Sequence, residues 1–362
     1  MNNQNQKAPS TRLASLDILR GFDLFLLVYF QPIFFSLGKT LGWEWLEPIL
    51  NQFDHEVWEG FRFWDLIMPL FLFMAGTSMP FSFAKFKNDP NKSRIYKKVF
   101  RRFIILFLLG MVAQGNLLGL DPDHIYIYVN TLQSIATGYL IAAIILLNGG
   151  IKTQIIATIS LLVIYTIPMM LFGDYTLEGN FAYKVDTLLM GRFQGDPSYT
   201  WIWSSLTFGV TVMLGVFAGE IIRIKKDTPQ KVVKWLLFGG IGLIAASLLW
   251  SLEMPIIKRI WSGSMTLLAG GYCFLLMGLF FYWIDYKGHK RGLEWLKIYG
   301  MNSITAYMLA QVINFRSIAR SLFYGFEQYL GDFYPIWISF VHYTIIFLIL
   351  KHMYDKKIFL KI

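Results

Sequence analysis

The stretch FDHEVWEGFRFWDLIMPLFLF, residues 53–73, brings a histidine and an aspartate to the boundary between a polar loop and an apolar helix. His55 belongs to the polar part, and Asp65, ten residues later, opens the apolar part. Histidine exchanges protons near neutral pH and serves as a general base or a nucleophile. A neighbouring carboxylate can orient the imidazole and stabilise its protonated form. The pair therefore suggests acid–base or covalent chemistry at this boundary; a solvated loop histidine is the alternative.

Further polar residues interrupt the apolar segments, in two groups. The group near the same segment ends as His55 comprises Gln31, Asn130, Gln133, Thr137, Ser262 and Ser264. The group near the opposite ends comprises Asp17, Arg20, Asn302 and Ser303. Polar residues inside a membrane are costly and usually face the interior of a helix bundle. Their shared depths favour a polar path through the bundle, although each residue alone is also consistent with a hydrogen bond that packs two helices.

The elements that carry these residues are membrane-spanning helices. Hydrophobic residues make up 55% of the 362-residue chain and charged residues only 15%, with mean hydropathy +0.48. The apolar residues fall in blocks of the length that crosses a bilayer, about 20 residues. We predict an all-α, polytopic integral membrane protein with one domain over residues 1–362 and ten spans. The spans are expected near 16–38, 61–84, 103–119, 126–147, 154–172, 200–222, 232–250, 262–284, 296–313 and 334–353.

The distribution of basic residues predicts the orientation, because Lys and Arg are retained on the cytoplasmic side. With both termini inside, 25 of the 33 Lys and Arg residues lie on the inner side. The segment 85–102, KFKNDPNKSRIYKKVFRR, alone supplies eight of them; we interpret it as a topology signal, with a site for a phosphate-bearing cytosolic ligand as the alternative. The net charge of +10 then reflects a basic inner face that suits anionic lipid head groups rather than nucleic acid. The group that includes Arg20 is therefore expected at the cytoplasmic side, and His55 at the outer side.

Several other classes of site find no support in the sequence. The five histidines are scattered, and His55-Glu56 lacks the second histidine of a zinc-binding H-E-x-x-H motif, so we predict no metal. The single cysteine, Cys273, cannot form an intrachain disulfide and is expected to pack inside an apolar helix. We find no phosphate-binding or dinucleotide-binding glycine motif.

Four stretches of the chain resemble the heparan-alpha-glucosaminide N-acetyltransferase family of membrane acyltransferases and its bacterial relatives. They are RLASLDILRGFDLFLLV (12–28), HEVWEGFRFWDLIMPLFLFMAG (55–76), YGMNSITAY (299–307) and YDKKIFLKI (354–362). Weaker resemblance covers LQSIATGYL (132–140), LGVFAGEII (214–222) and KRIWSGSM (258–265). The pattern H-x-x-W-x-G-x-x-x-x-D-L-x-x-P is the most specific, and the stretches follow the family's order along the whole chain.

The resemblance implies a transfer of the acetyl group of cytosolic acetyl-CoA across the membrane to an amine, or a hydroxyl, of an amino sugar or glycan. It matches His55 to the family's active-site histidine and Asp65 to the neighbouring acid. We expect Gln31 or a nearby amide to polarise the thioester carbonyl, and Asp17, Arg20, Asn302 and Ser303 to bind the donor. The residues expected at the acceptor are Trp58, Gln133, Trp201, Lys258 and Ser264.

The chain departs from the family where an acceptor would bind. The lysosomal member has Asn where we align Gln31, and Arg where this chain has Ser134. Its acidic stretch before the sixth helix is replaced here by SYTWIWSS, residues 198–205. Aromatic residues in that stretch, Trp201 among them, could stack on a sugar or could form an interfacial aromatic belt. These differences leave the acceptor, the choice between N- and O-acetylation and the route of transfer undetermined.

Two other functions remain open from the sequence. A transporter of amino sugars or acyl donors would use the same polar path without covalent chemistry, and a membrane scaffold would use the polar residues only for packing. Under the enzyme reading, the partners are acetyl-CoA, the glycan acceptor and membrane lipids, with a homodimer as a further possibility. We expect the protein in the bacterial inner membrane.

Overall fold

The structure is a computed structural model that describes residues 13–86, 92–225 and 227–360. Within these ranges all the regular elements are helical, and the only strand-like pairing is an isolated antiparallel bridge between Glu59 and Ile257. The predicted all-α class is confirmed. The α-helices in chain order are α1 (Ala14–Phe25), α2 (Gln31–Leu41), α3 (Glu47–Gln52), α4 (Ile67–Phe83), α5 (Lys92–Ala113), α6 (Thr131–Asn148), α7 (Ile151–Phe172), α8 (Phe181–Met190), α9 (Ser205–Ile224), α10 (Pro229–Trp250), α11 (Gly263–Phe280), α12 (Glu294–Met301), α13 (Ser303–Val312), α14 (Phe315–Leu322), α15 (Glu327–Leu330) and α16 (Tyr334–Asp355).

Eight helical segments of the described chain are long and apolar enough to cross a membrane. They are Ala14–Leu41, Phe63–Phe83, Thr131–Asn148, Ile151–Phe172, Ser205–Ile224, Pro229–Trp250, Gly263–Tyr286 and Tyr324–Asp355. This is the architecture of an integral membrane protein. The predicted total of ten is not confirmed. The span predicted at 103–119 falls on the apolar second half of α5, whose first half is basic, and the span predicted at 296–313 is divided at Asn302 into the short helices α12 and α13.

The first span is distorted at the place where the sequence contains a proline. α1 continues into a π-helical turn, Leu26–Phe30, and then into α2. Pro32, the second residue of α2, lacks a backbone N–H, and its ring crowds the carbonyl one turn earlier. The wider π-helical turn relieves this crowding. Gln31 therefore lies directly at the irregularity, as Pro32 predicts.

Close helix contacts at glycines hold the helices that carry the predicted site. A Cβ atom added to Gly76 of α4 would lie 1.9 Å from a carbonyl oxygen of α9, and one added to Gly215 of α9 would lie 2.0 Å from a carbonyl oxygen of α4. The contact between α1 and α12 is equally close at Gly21 and Gly300, where the corresponding distances are 1.8 and 1.9 Å. Small residues permit this approach between membrane helices. The helix that follows Asp65, α4, and the helix that carries Arg20, α1, are thus fixed by backbone-to-backbone packing.

The helices divide into a buried centre and a lipid-accessible edge. In the spans formed by α4 and α9, 72% of the most apolar 18 residues are buried, whereas in α7 and α10 only 22% of them are buried. α7 and α10 expose large apolar side chains instead, among them Ile156, Leu171, Phe238 and Leu249. A helix that is apolar on its exposed side is stable in lipid rather than in water. The functional side chains described below are carried by the central helices and by the loops that close over one end of them.

Candidate active site

Asp65 organises the loop that precedes α4. It lies in a 3-10 turn, Phe63–Leu66, and its side chain is fully buried. Its Oδ2 atom accepts the backbone N–H of Arg62 at 3.0 Å and that of Glu56 at 3.2 Å. Its Oδ1 atom lies 2.8 Å from Nδ1 of His55. One carboxylate thus holds both ends of the segment 56–62 and the histidine in front of it.

The contact with Asp65 determines which nitrogen of His55 is available for chemistry. An ionised carboxylate only accepts hydrogen bonds, so Nδ1 of His55 must carry the ring proton and donate it to Asp65. The lone pair then resides on Nε2. Burial lowers the pKa of His55, the hydrogen bond that His55 donates to Asp65 opposes this effect, and the positive charge of Lys258 adds to the lowering. His55 is therefore neutral at neutral pH, as a general base must be.

Lys258 is the third member of the cluster. Its Nζ atom lies 2.8 Å from Nδ1 and 3.2 Å from Nε2 of His55, and 3.5 Å from Oδ1 of Asp65. Because the proton on Nδ1 is directed at Asp65, the available acceptors for Nζ are Nε2 of His55 and the Asp65 carboxylate. Lys258 is only 6% exposed, and burial lowers its pKa to about 8. This lysine therefore couples its own charge to both members of the His55–Asp65 pair.

A rigid loop between α10 and α11 positions Lys258. The backbone N–H of Gly60 donates to Ile256 at 2.8 Å, which joins this loop to the histidine loop. The hydroxyls of Ser262 and Ser264 donate to the carbonyl of Pro255, at 2.8 and 2.9 Å. Ser264 is fully buried. Ser264 was predicted to contact the substrate. Its hydrogen bond instead stabilises the loop that carries Lys258.

The cluster opens into a cavity of about 670 Å³, which we name the histidine cavity. His55 and Lys258 form part of its wall, and aromatic rings form much of the remainder. The lining residues used below are His55, Phe71, Gln114, Thr131, Tyr199, Trp201, Lys258, Tyr307 and Gln311. Pockets of this size, mainly apolar with a few polar groups, are typical of small-molecule sites. Trp201 is thus brought to the site, as predicted, whereas the sequence analysis assigned no role to Gln114 or Gln311.

A second cavity of about 280 Å³, the arginine cavity, is lined by Arg20, Ser78, Arg102 and Ser303, among others. The two cavities share three lining residues, Phe71, Thr131 and Tyr307. The two cavities are therefore adjacent, and we name these three shared residues the partition. The partition is part of a polar contact, since the Nδ2 atom of Asn130 donates to the hydroxyl of Tyr307 at 3.0 Å.

Of the four residues predicted to bind the donor, two line the arginine cavity. These are Arg20 and Ser303. Asp17 is buried one turn before Arg20, outside the lining. Asn302 donates through Nδ2 to the carbonyl of Ile358 at 3.1 Å, and its Oδ1 accepts the N–H of Leu360 at 3.3 Å. Asn302 thus secures the C-terminal segment, and Leu360 of that segment completes the cavity wall.

Three other predicted site residues lie outside the histidine cavity, and their side chains are hydrogen-bonded to backbone groups. Gln31 donates through Nε2 to the carbonyl of Phe53 at 2.8 Å. Gln133 accepts the N–H of Val129 at 2.9 Å and donates to the carbonyl of Ile127 at 2.5 Å. Trp58 donates its indole N–H to Tyr175 at 2.7 Å and lines a separate surface groove. These contacts hold loops near the cavity, and Gln31 acts on the backbone only two residues before His55.

Sequence reasoning did not identify Arg102, Thr131 and Tyr307 as site residues. Arg102 ends the basic segment 85–102, which was interpreted as a topology signal, and its guanidinium stacks on Tyr139 with 4.4 Å to the ring centroid. Tyr307 ends the stretch YGMNSITAY, so a signal for it was present. Thr131 is the first residue of α6, and nothing in the sequence around it indicates a binding site.

Comparison with known proteins identifies the family of this chain. The family described as heparan-alpha-glucosaminide N-acetyltransferase, catalytic, matches residues 12–249, which include His55, Asp65 and Arg20. The Heparan-alpha-glucosaminide N-acetyltransferase of Mus musculus is 22% identical over 374 aligned residues, covering 86% of this chain and 55% of the relative. The protein of the same name from Homo sapiens is 24% identical over 361 aligned residues, covering 82% of this chain and 52% of the relative. The chain thus spans about half the length of the curated relatives it matches, and it belongs to the heparan-alpha-glucosaminide N-acetyltransferase family.

Proposed function

We propose that this protein is a transmembrane acetyltransferase that moves the acetyl group of cytosolic acetyl-CoA to an amine, or a hydroxyl, of an amino sugar or glycan on the outer side. The observation that carries the proposal is that His55, held by Asp65, lines a cavity that shares three lining residues with a second, arginine-lined cavity. Two substrates that meet at a partition need two entrances, and each cavity would supply one. Family membership supports the reaction class.

The donor would bind in the arginine cavity. Arg20 and Arg102 provide guanidinium groups, which bind phosphate oxygens in bidentate fashion. The cavity volume of about 280 Å³ lies at the lower end of the range for ligand pockets, so it admits the pantetheine arm and leaves the nucleotide at the surface. The thioester would then reach the partition formed by Phe71, Thr131 and Tyr307.

The acceptor would bind in the histidine cavity. Tyr199 and Trp201 line it and offer ring faces to a sugar, and Lys258 lies against the base. In direct transfer, the acceptor nitrogen attacks the thioester carbon, a C–N bond forms and the C–S bond breaks. Nε2 of His55 takes the acceptor's proton and returns it to the coenzyme A thiolate. In the covalent route, Nε2 itself carries the acetyl group between donor and acceptor.

The other groups of the site would stabilise charge as it develops. Asp65 holds the imidazole by its Nδ1 proton and stabilises the imidazolium that forms. The developing oxyanion requires a donor directed into the cavity. Because the amide of Gln31 is engaged with Phe53, the amides of Gln114 and Gln311 are better placed for this role. Both line the histidine cavity, and the sequence-based prediction named neither of them.

The proposed topology completes the two-sided arrangement. With α5 and the α12–α13 pair added to the eight long segments, the chain would cross the membrane ten times as one domain with both termini in the cytoplasm. Reporter fusions after residue 360 and within the loop 173–199 test this. We expect a cytoplasmic signal from the first fusion and an external signal from the second. A cytoplasmic signal from the loop would place the histidine cavity on the donor's side and overturn the transmembrane route.

The experiment that tests the activity uses the full-length chain in detergent with acetyl-CoA and a panel of amino sugars and glycan fragments. We expect release of free coenzyme A together with an acetylated sugar. The matched control is His124→Ala, because His124 also contacts an aspartate, Asp121 at 2.6 Å, but on the exposed surface. Flux of an amino sugar into liposomes without acetyl-CoA consumption would favour a transporter instead.

A further inference from the structure

Lys258 places a primary amine within hydrogen-bond reach of both ring nitrogens of His55. A general base must lie within hydrogen-bond reach, about 2.6–3.2 Å, of the group whose proton it takes. The Nζ atom of Lys258 lies 2.8 Å from Nδ1 of His55 and 3.2 Å from Nε2, the nitrogen that Asp65 leaves free. Like the amine of an amino sugar, Nζ is a primary amine. The protein thus places an amine of its own beside the base that would remove a proton from the acceptor.

The surroundings of Lys258 hold this amine in place and raise its neutral fraction above that of an ordinary lysine. The side chain is 6% exposed, and it lines the histidine cavity that the thioester must enter. Burial lowers its pKa to about 8, while Asp65 opposes the effect. An ordinary lysine titrates near about 10.4, and only the neutral amine is a nucleophile. Exposed Lys184 donates instead to the carbonyl of Phe172 at 3.0 Å, away from the cavity lining.

We propose that Lys258 is itself acetylated by bound acetyl-CoA when no acceptor fills the histidine cavity; this inference rests on the proposed function. Nζ attacks the thioester carbon, a C–N bond forms and the C–S bond breaks. The amine proton passes to Nε2 of His55 and then to the departing coenzyme A thiolate. The products are N-acetyl-Lys258 and free coenzyme A, and no further reactant is needed.

The modification would block the site that produces it. Acetylation removes the positive charge 3.5 Å from Asp65 and leaves that buried carboxylate without its cation. The acetyl-amide would also fill the place of the acceptor amine. An acceptor that displaces Nζ from His55 would therefore both undergo transfer and protect Lys258. The enzyme would remain active in the presence of its acceptor and lose activity in a donor-only state.

The test incubates the purified full-length protein with trideuteroacetyl-CoA and no acceptor, followed by peptide mass spectrometry. The deuterium label distinguishes new acetyl groups from any acquired during expression. We expect labelled Lys258, with Lys184 in the same sample as the control lysine. Labelling should rise as the pH approaches 8, since the neutral fraction of Lys258 rises there. It should fall when glucosamine is added, and it should fall by about 10²-fold or more in His55→Ala, where the base is absent.

The possible outcomes separate this inference from the proposed function. Acetylated sugar with unlabelled Lys258 would overturn the inference and leave the acetyltransferase intact. Labelling of Lys184 and Lys258 to the same extent, or equal labelling of Lys258 in His55→Ala, would show uncatalysed chemistry and would also overturn it. Labelled Lys258 with no sugar product would support the inference and show that the true acceptor lies outside the panel. Neither label nor sugar product would remove both.

Discussion

Oδ1 of Asp65 lies 2.8 Å from Nδ1 of His55, across a ten-residue loop, while Oδ2 of the same carboxylate accepts two backbone N–H groups of that loop. The fully buried acid thus fixes the position, orientation and tautomer of the histidine at once. This arrangement directs Nε2 away from the acid, toward the group whose proton it would take. The proposed chemistry depends on it, and four predictions follow from this geometry and from the cavities beside it.

His55→Ala should abolish acetyl transfer while the protein folds and binds acetyl-CoA. Removal of a general base costs about 10²–10⁴-fold, and a covalent route should lose nearly all activity. Asp65→Asn should reduce transfer less completely, because the imidazole remains but is poorly oriented. The measurement is acetyl transfer by the detergent-purified variants, with coenzyme A binding and thermal unfolding measured separately. More than about a tenth of the wild-type rate in His55→Ala would remove His55 from the mechanism.

Part of this site is predictable from the sequence because it is local. The residues of the His55–Asp65 pair lie in one loop and its following helix, so a short motif carries them. Lys258 is 203 positions from His55, and only the packing of the loop between α10 and α11 on the histidine loop brings the two together. The weak resemblance around Lys258 gave a substrate-binding role but no contact with His55.

Two other differences between the sequence-based prediction and the structure arise because the sequence does not show which groups a side chain contacts. Gln133 lies on a polar helix face that the sequence spacing predicts. Its amide, however, is hydrogen-bonded to the backbone of Ile127 and Val129, just before its own helix begins. The break at Asn302 is hidden because hydropathy is averaged over a window, and both halves of that window are apolar. Sequence patterns specify which side chains are polar, whereas the tertiary structure determines what satisfies them.

The pH dependence of transfer should respond in opposite directions to the two charged neighbours of His55. The base must be neutral, so activity rises with pH through the pKa of His55, which burial lowers from about 6.5. The contact with Asp65 raises this pKa and the charge of Lys258 lowers it. Asp65→Asn should therefore move the acidic limb of the profile to lower pH, and Lys258→Met should move it to higher pH.

The measurement is kcat/KM for acetyl transfer against pH for the wild type and both variants, since this quantity reports the free enzyme. His124→Ala, which changes an exposed histidine, is the control and should leave the limb in place. Shifts of the same sign in Asp65→Asn and Lys258→Met would mean that the limb reports a group other than His55.

Arg20→Ala should raise the acetyl-CoA concentration needed for half-maximal transfer by about tenfold or more, the cost of one hydrogen bond to a charged group. Arg20→Lys should restore this only in part, because lysine lacks the planar two-pronged donor. Arg223→Ala is the control, since Arg223 pairs with Glu220 at 2.7 Å and lies outside the arginine cavity. Unchanged donor affinity in a folded Arg20→Ala protein would show that Arg20 is structural.

Thr131→Trp should separate donor binding from transfer. Thr131 lines both cavities, beside Phe71 and Tyr307, so a large ring there would fill the partition that the thioester must cross. A displacement of about 1 Å in a reacting group can cost about 10²-fold in rate. We expect transfer to fall by at least that factor while coenzyme A still binds, because Arg20 and Arg102 are unchanged.

The readouts for Thr131→Trp are transfer rate and coenzyme A binding by calorimetry. Thr153→Trp, the same substitution at an exposed position of α7, is the control and should leave both unchanged. Wild-type transfer by Thr131→Trp would show that the acetyl group reaches His55 by a route other than this partition, and equal loss of binding and transfer would place Thr131 in the donor site itself.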